Sequence, residues 1–342
     1  MSRTYQGGLI TKTPVTPAGP FQCGAASGVW TIDQMVGWQK AGVWPTAGLI
    51  DGTFSIFALG TTNTPGVATA VRDKYIYSGC SVTAGASASV ASGAGTAAGN
   101  STNGIFALGV NNSGTVLSTR NKYIYASCTS GAATAACRGS VYGSATGNST
   151  VGIFAISSNG VGTTAIRNKY IYSSCTSTCG TSATSAARLG SAAGNATAGI
   201  FALGAAPCGV TTRNKYIYSG CVVSSGAAAS VVSYGGSAAG NSTNGIFALG
   251  ITGGGGTPST TRNKYTYSND TSASATASTA TTNQGSAAGN STIGIFALGS
   301  SCISNALRNK YTYSACTNVS ATAASVPTYQ GSAASNGNYG VI

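Results

Sequence analysis

Two short runs, each alternating between its two faces, recur in a fixed order through most of the chain. The first reads Gly-Ile-Phe-Ala-Leu-Gly at 245–250, with counterparts at 55–60, 104–109, 152–157, 199–204 and 294–299. The second reads Arg-Asn-Lys-Tyr-Thr-Tyr-Ser at 262–268, and its copies begin at Arg72, Arg120, Arg167, Arg213, Arg262 and Arg308. In the first run Phe and Leu share one face, Ile and Ala the other. In the second the two tyrosines share a face, opposite Lys and the residue that follows the first Tyr. A period of two, with β-branched and aromatic residues bounded by turn formers, predicts a strand for each run. The rest of each unit, such as 81–99, is rich in Ser, Ala, Thr and Gly and has room for two more short strands. No copy carries a sustained 3.6-residue apolar period, so these units are not helical.

The phenylalanines of the first run, Phe57, Phe106, Phe154, Phe201, Phe247 and Phe296, are spaced by 49, 48, 47, 46 and 49 residues. A repeat period of about 46–50 is that of four-stranded propeller blades. A Gly-Ser-Ala-Ala-Gly-Asn-Ser-Thr segment precedes the first run at 236–243 and 285–292, but Asp51-Gly52-Thr53 stands before Phe57. The missing piece reappears at the C-terminus as Gly331-Ser332-Ala333-Ala334-Ser335-Asn336-Gly337. The expected fold is therefore all-β, a six-bladed propeller over 51–342 closed by a C-terminal strand. Closure removes exposed sheet edges.

Residues 1–50 are different. They hold all three tryptophans, Trp30, Trp38 and Trp44, and four of the eight prolines. The stretch 11–20 reads as an extended, proline-punctuated arm. Further on, Thr31 is placed as a helix N-cap with Gln34 completing a capping box. So short a segment cannot bury a core alone, and it reads as an attachment module. The three tryptophans are its candidate docking residues, because aromatic anchors dominate interface energetics. A small cluster packed on the chain's own surface is the competing reading.

Composition sharpens the picture. The chain of 342 residues has 50 glycines and only 6% charged residues, against about 25% in ordinary domains. Its net charge of +13 suggests nucleic acid at first sight. Twelve of the 17 basic residues, however, are Arg72/Lys74, Arg120/Lys122, Arg167/Lys169, Arg213/Lys215, Arg262/Lys264 and Arg308/Lys310, one pair per copy. They are spread with the repeat and form no patch or tail, so nucleic acid is not expected. Two basic rings could face an acidic sugar or a phosphate. Alternatively, the arginines bond backbone carbonyls in neighbouring blades and hold the ring together, the reading favoured by their presence in every copy. No apolar run is long enough to span a membrane, and the N-terminus lacks the pattern of a secretory signal.

Of ten cysteines, Cys80, Cys128, Cys175, Cys221 and Cys316 fall five residues after the first Tyr of the second run, where the fifth copy has Asp270. Cys208/Cys221 and Cys302/Cys316 are possible disulfides, and Cys128/Cys137 and Cys175/Cys179 are local candidates. The plainer expectation is a small, mostly buried side chain. With no His and no tight double Cys-x-x-Cys, no metal or other cofactor is expected. Asn100, Asn148, Asn195, Asn241 and Asn290 form glycosylation sequons, but their single repeat position reads as a turn, with Asn chosen for its left-handed backbone tolerance. General acid–base catalysis needs His or paired carboxylates. The chain offers four scattered Asp, no Glu and no His, so an enzyme is not expected.

The repeat core, Gly-Ile-Phe-Ala-Leu-Gly followed by Arg-Asn-Lys-Tyr-x-Tyr-Ser, resembles kelch-like repeats in architecture, with a single Gly in place of the usual pair and no Trp. The N-terminal Ala26-Ser27-Gly28-Val29-Trp30-Thr31-Ile32-Asp33-Gln34 with Trp44-Pro45 resembles an element of tailed-bacteriophage virion proteins, where it precedes tail-fibre-like or other appendage repeats. This resemblance implies a virion structural protein, a tail or head fibre or decoration subunit. It would assemble in the host cytoplasm, dock on other virion proteins through its arm, stand as several copies on the particle, and display loops to host glycan. A free, lectin-like carbohydrate-binding propeller is the alternative.

Overall fold

The structure is a computed structural model that describes residues 31, 33, 34, 36, 52–62, 66–205, 208–253, 256–300 and 304–336. It divides into two compact units, Met1–Asp51 and Gly52–Ile342. In the first unit Asp33, Gln34 and Val36 are helical. The backbone N–H of Gln34 donates to Thr31 Oγ1 (3.2 Å) and that of Thr31 to Gln34 Oε1 (3.0 Å), the reciprocal capping box read from the sequence. Trp30, Trp38 and Trp44 and the proline-punctuated stretch lie outside the described residues.

The second unit is all-β. Each repeat builds one four-stranded antiparallel sheet, in which the first run is the second strand and the Arg-Asn-Lys-Tyr run the third. Sheet 2 has the strands Thr96–Gly99, Asn103–Ala107, Arg120–Ile124 and Thr129–Ala133 in spatial order. Sheets 3 to 6 repeat this plan, beginning at Ser144–Gly147, Ser191–Gly194, Ser237–Gly240 and Ser286–Gly289. Sheet 1 draws its first strand, Ser332–Ser335, from the far end of the chain. That strand lies antiparallel to Phe54–Ala58, with Ala333 opposite Phe57, and Arg72–Ile76 and Ser81–Gly85 follow outward.

Each first strand packs on those of the sheets before and after it, and Ser332–Ser335 packs on both Ser286–Gly289 and Thr96–Gly99. Small residues permit this approach. Ala97, Ala98, Ala192, Ala193, Ala238, Ala239, Ala287 and Ala288 are all fully or almost fully buried. The Gly that opens the first run in five of the six copies is likewise held by packing. A Cβ on Gly199 would lie 2.8 Å from the hydroxyl of Tyr218 and 2.4 Å from Thr146 of the preceding sheet.

A chain of backbone hydrogen bonds runs across the starts of the first strands. Tyr142 donates to Ala94, Leu189 to Tyr142, Gly235 to Leu189, Gln284 to Gly235, Gln330 to Gln284, and Ala94 to Gln330, at 2.6–3.0 Å. The last bond returns to the first residue, so the cycle has six members and no free end.

Candidate functional site

The third strands carry the basic residues singled out from the sequence, and the structure separates the two kinds. All six arginines are at most 1% exposed. Each guanidinium lies over the Phe of the next sheet, with Arg72 4.4 Å from the centre of the Phe106 ring, Arg167 4.5 Å from Phe201, and Arg308 4.6 Å from Phe57. Each also donates to the residue after the next Arg. Arg72 bonds Asn121 Oδ1, Arg120 Asn168, Arg167 Asn214, Arg213 Asn263 and Arg262 Asn309, at 3.2–3.3 Å. The sixth, Arg308, meets the carboxylate of Asp73 at 2.8 Å.

The expected bonds to neighbouring backbone carbonyls are thus replaced by bonds to a neighbouring Asn side chain. The carbonyls that arginines do reach, such as Ala86 from Arg72 and Ala227 from Arg213, belong to the connection leaving the same repeat. Burial pulls the guanidinium pKa of Arg72, Arg120, Arg167, Arg213 and Arg262 down to about 10. The ring faces and the amide oxygens offset that cost of desolvation. Ligand binding by an arginine ring would need exposed guanidinium groups, and these six are sealed between sheets.

The lysines are all half-buried, and five of them reach the turn before the outer strand of the next sheet. Lys74 Nζ lies 3.3 Å from Cys128 Sγ, Lys169 3.4 Å from Cys221, and Lys122 and Lys310 3.8 Å from Cys175 and Cys80. In the copy with Asp270 the contact becomes an ion pair, Lys215 to Asp270 at 2.7 Å. Lys264 departs from this pattern. It sits at the same register, opposite Ala273 of its own sheet, yet makes no such bond to Cys316, the turn residue of the next sheet. Five of the six lysines are thus engaged with the neighbouring turn and Lys264 is not, which accords with side chains that join repeats better than with the ligand-facing basic ring that was the alternative. The turn residues, Cys80, Cys128, Cys175, Cys221, Asp270 and Cys316, all have a left-handed backbone with φ of 45–53°.

Cys208 and Cys221 are free thiols, and their bridge is not formed. Ala202 pairs with Arg213 at one end of the central strands and Ala198 with Ile217 at the other. Cys208 lies in the connection at the first end, Cys221 in the turn at the second, separated by a strand of about 13–17 Å. A disulfide needs Cα atoms within about 7 Å. Cys316, Cys128, Cys137, Cys175 and Cys179 are free as well, and Cys302 lies outside the described residues. Among the described residues no cluster of His, Cys, Asp or Glu could hold a metal ion.

The sequon asparagines do form turns, but not through a left-handed backbone, since none has a positive φ. Their side chains do the work. Asn195 Oδ1 accepts from the N–H and Oγ1 of Thr197 and the N–H of Ala198, while its Nδ2 donates to the carbonyl of Ser242 in the next sheet. Asn100, Asn148, Asn241 and Asn290 repeat this, the last reaching Gly52 of sheet 1.

At the centre of the six sheets lie two stacked hollows with about 40 and 60 Å³ of enclosed space. They share Gly95, Gly143, Gly190, Gly236, Gly285 and Gly331, one from each repeat. The inner hollow is lined by the hydroxyl residues Thr96, Ser144, Ser191, Ser237, Ser286 and Ser332. Thr96 Oγ1 and Ser237 Oγ are buried there without a hydrogen-bond partner. The outer hollow opens among the residues of the amide cycle. Sequence reasoning missed this site. Its signal is the residue just before the Gly at the start of each first strand, which changes from repeat to repeat while that Gly does not: Ala94, Tyr142, Leu189, Gly235, Gln284 and Gln330. No known protein family matches the chain, and no curated protein is similar to it in sequence.

Proposed function

We propose that residues 52–336 form a six-bladed kelch-like β-propeller closed by its C-terminal strand, and that this unit is a display platform. In this reading the protein is a tail-fibre-like or decoration subunit of a tailed-bacteriophage particle. It docks on other virion proteins through residues 1–50, stands in several copies, and presents its loops to host-surface glycan. The observation that supports a display role is where the charge has gone. Among the described residues of the second unit the carboxylates are Asp73 and Asp270, and both are held in ion pairs, while six arginines join sheet to sheet. No free carboxylate is left there for acid–base chemistry, and what remains outside is a low-charge surface of turns and loops. The propeller reading is supported by the cycles of amide and Arg–Asn contacts, each of which returns to its starting sheet. The virion reading rests on the N-terminal resemblance.

The test is incorporation. The full chain, a chain beginning at Gly52, and a full chain with Trp30→Ala, Trp38→Ala and Trp44→Ala are supplied during particle assembly, and purified particles are probed for each. Incorporation of the full chain alone supports the reading. Absence of all three from particles, with glycan binding retained by the chain from Gly52, leaves the free lectin.

A further inference from the structure

The six repeats are near-copies in their strands, their Arg–Asn–Phe contacts and their turns, yet they differ around the mouth of the central hollow. The six residues of the amide cycle all have a left-handed backbone, with φ from 52° to 65°. Glycine takes that conformation without strain, and Gly235 has it; a side chain there is strained. Tyr142, Leu189, Gln284 and Gln330 nevertheless carry large side chains, and all four line the outer hollow. Non-glycine residues held in this region gather at ligand clamps and active sites, where the side chain justifies the strain.

Their chemistry is specific. Tyr142 offers an aromatic face and Leu189 an apolar one. Gln330 Nε2 donates to Gln284 Oε1 at 3.1 Å, a bond that orients both amides and leaves the pair one amide nitrogen and one amide oxygen. Asn283 Oδ1 sits 2.4 Å from where a Cβ on Gly235 would stand, and it is buried without a hydrogen-bond partner. None of these groups is charged. An aromatic residue across the mouth from neutral amides matches a ligand with an apolar ring face and hydroxyls at its edge. The enclosed space of the hollows is only about 40 and 60 Å³, far below an ordinary ligand pocket of about 300–1,000 Å³, so a polymer cannot thread through and a ligand is met at the open mouth.

We infer that the mouth of the central hollow binds the terminal sugar unit of a glycan, with Tyr142 against the ring face and Gln284 and Gln330 bonding its hydroxyls. The inference rests on the glycan-contact part of the display reading and gives it a place.

The test uses the full chain on an array of hexose- and N-acetylhexosamine-terminated oligosaccharides, followed by calorimetric titration of the strongest binder. The variants are Tyr142→Gly and the pair Gln284→Gly/Gln330→Gly. Glycine suits this backbone, so both variants should melt at or above the wild-type Tm, while affinity for the sugar falls at least tenfold. Three results would overturn the inference: no array binding by the wild-type chain, unchanged affinity in the variants, or a lowered Tm, which would make these side chains structural. Particle incorporation of the same variants is scored separately. Absence of sugar binding by the wild-type chain with incorporation intact counts only against a glycan role, whereas failure of incorporation in every variant and the wild type counts only against the virion reading.

Discussion

Arg308, in the third strand of sheet 6, donates to Asp73 in the third strand of sheet 1 across a 2.8 Å contact in which neither side chain is more than 1% exposed. Five other junctions between sheets join Arg to Asn; this one, between the last sheet and the first, joins Arg to Asp. Asp73 also accepts from the backbone N–H of Ser325 (3.0 Å) and its hydroxyl (2.6 Å). At the other junctions the Asn amide donates to the corresponding group, as Asn214 does to Thr184 Oγ1. A carboxylate cannot donate, so at the closing junction the hydroxyl does.

The two substitutions of Asp73 therefore separate cleanly. Asp73→Asn recreates the arrangement found at the other junctions, with Ser325 turned to accept, and should change stability by no more than about 1 kcal/mol. Asp73→Ala leaves Arg308 buried without its counter-charge and should cost about 3–5 kcal/mol. Urea denaturation of the two variants and the wild type measures both. Equal losses would mean that the junction does not depend on an acceptor for Arg308.

The turn asparagines allow a second comparison. Asn195→Ala removes three bonds within the turn and one to Ser242 of the next sheet. The expected loss is about 1–3 kcal/mol, because the N–H groups of Thr197 and Ala198 lose their acceptor. Asn195→Gln places the amide one carbon too far out and should not rescue. Recovery by Gln would show that polarity alone, and not the turn geometry, matters.

The sequence disclosed the sheets but not the joints between them. Positions of the second and third strands, the repeat period, the strand lent by 331–337 and the Thr31–Gln34 cap were all legible, because alternation, turn formers and capping leave local marks. The Arg–Asn contact was not. It links residues about one repeat apart whose facing sides become known only once sheets are stacked. Asp73, the single departure from Asn in that run, was the available clue. The amide cycle left only the changing residue before each Gly as a mark, because backbone bonds do not fix side-chain identity. Cys208 and Cys221 share a repeat but sit at opposite ends of its strands, and residue order alone does not show which end each connection occupies.

Thiol chemistry checks that correction. Cys137, Cys179 and Cys208 are exposed, while Cys80, Cys128, Cys175, Cys221 and Cys316 are half-buried beside the turns. The exposed thiols should alkylate rapidly in the native protein, the half-buried ones slowly, and reductant should leave Tm unchanged. Mass spectrometry that found Cys208 linked to Cys221 would contradict the sheet geometry. By the same geometry, Cys128→Asp should be tolerated within about 1 kcal/mol, since it places beside Lys74 the ion pair that Lys215 already makes with Asp270.

Alkali should unfold the protein in one step. Burial raises the phenol pKa of Tyr123, Tyr170, Tyr216, Tyr265 and Tyr311 to about 12. Burial raises it in Tyr75, Tyr125, Tyr172, Tyr218, Tyr267 and Tyr313 as well. An unfolded tyrosine ionises near pH 10. The folded chain therefore holds more phenolic protons than the unfolded one above about pH 10, and stability that is full below that pH is lost as pH rises through the folded values. The lowered arginines act in the opposite sense over the same range, but the eleven tyrosines outnumber the six arginines. Absorbance of phenolate and circular dichroism should change together above about pH 11. Ionisation of most of the 17 tyrosines around pH 10 with the sheets intact would refute the buried-tyrosine arrangement.

The six-sheet arrangement depends on the last strand belonging to the first sheet. Native-state hydrogen exchange followed by mass spectrometry addresses this in the unmodified chain. If Ser332–Ser335 pairs with Phe54–Ala58 as an interior strand pair, peptides from both should be protected as strongly as those from Ser191–Gly194 and Ala198–Ala202, opening only with global unfolding. Exchange of Ser332–Ser335 at the rate of a fraying terminus, with the other first strands protected, would contradict it and leave sheet 1 with an unpaired edge.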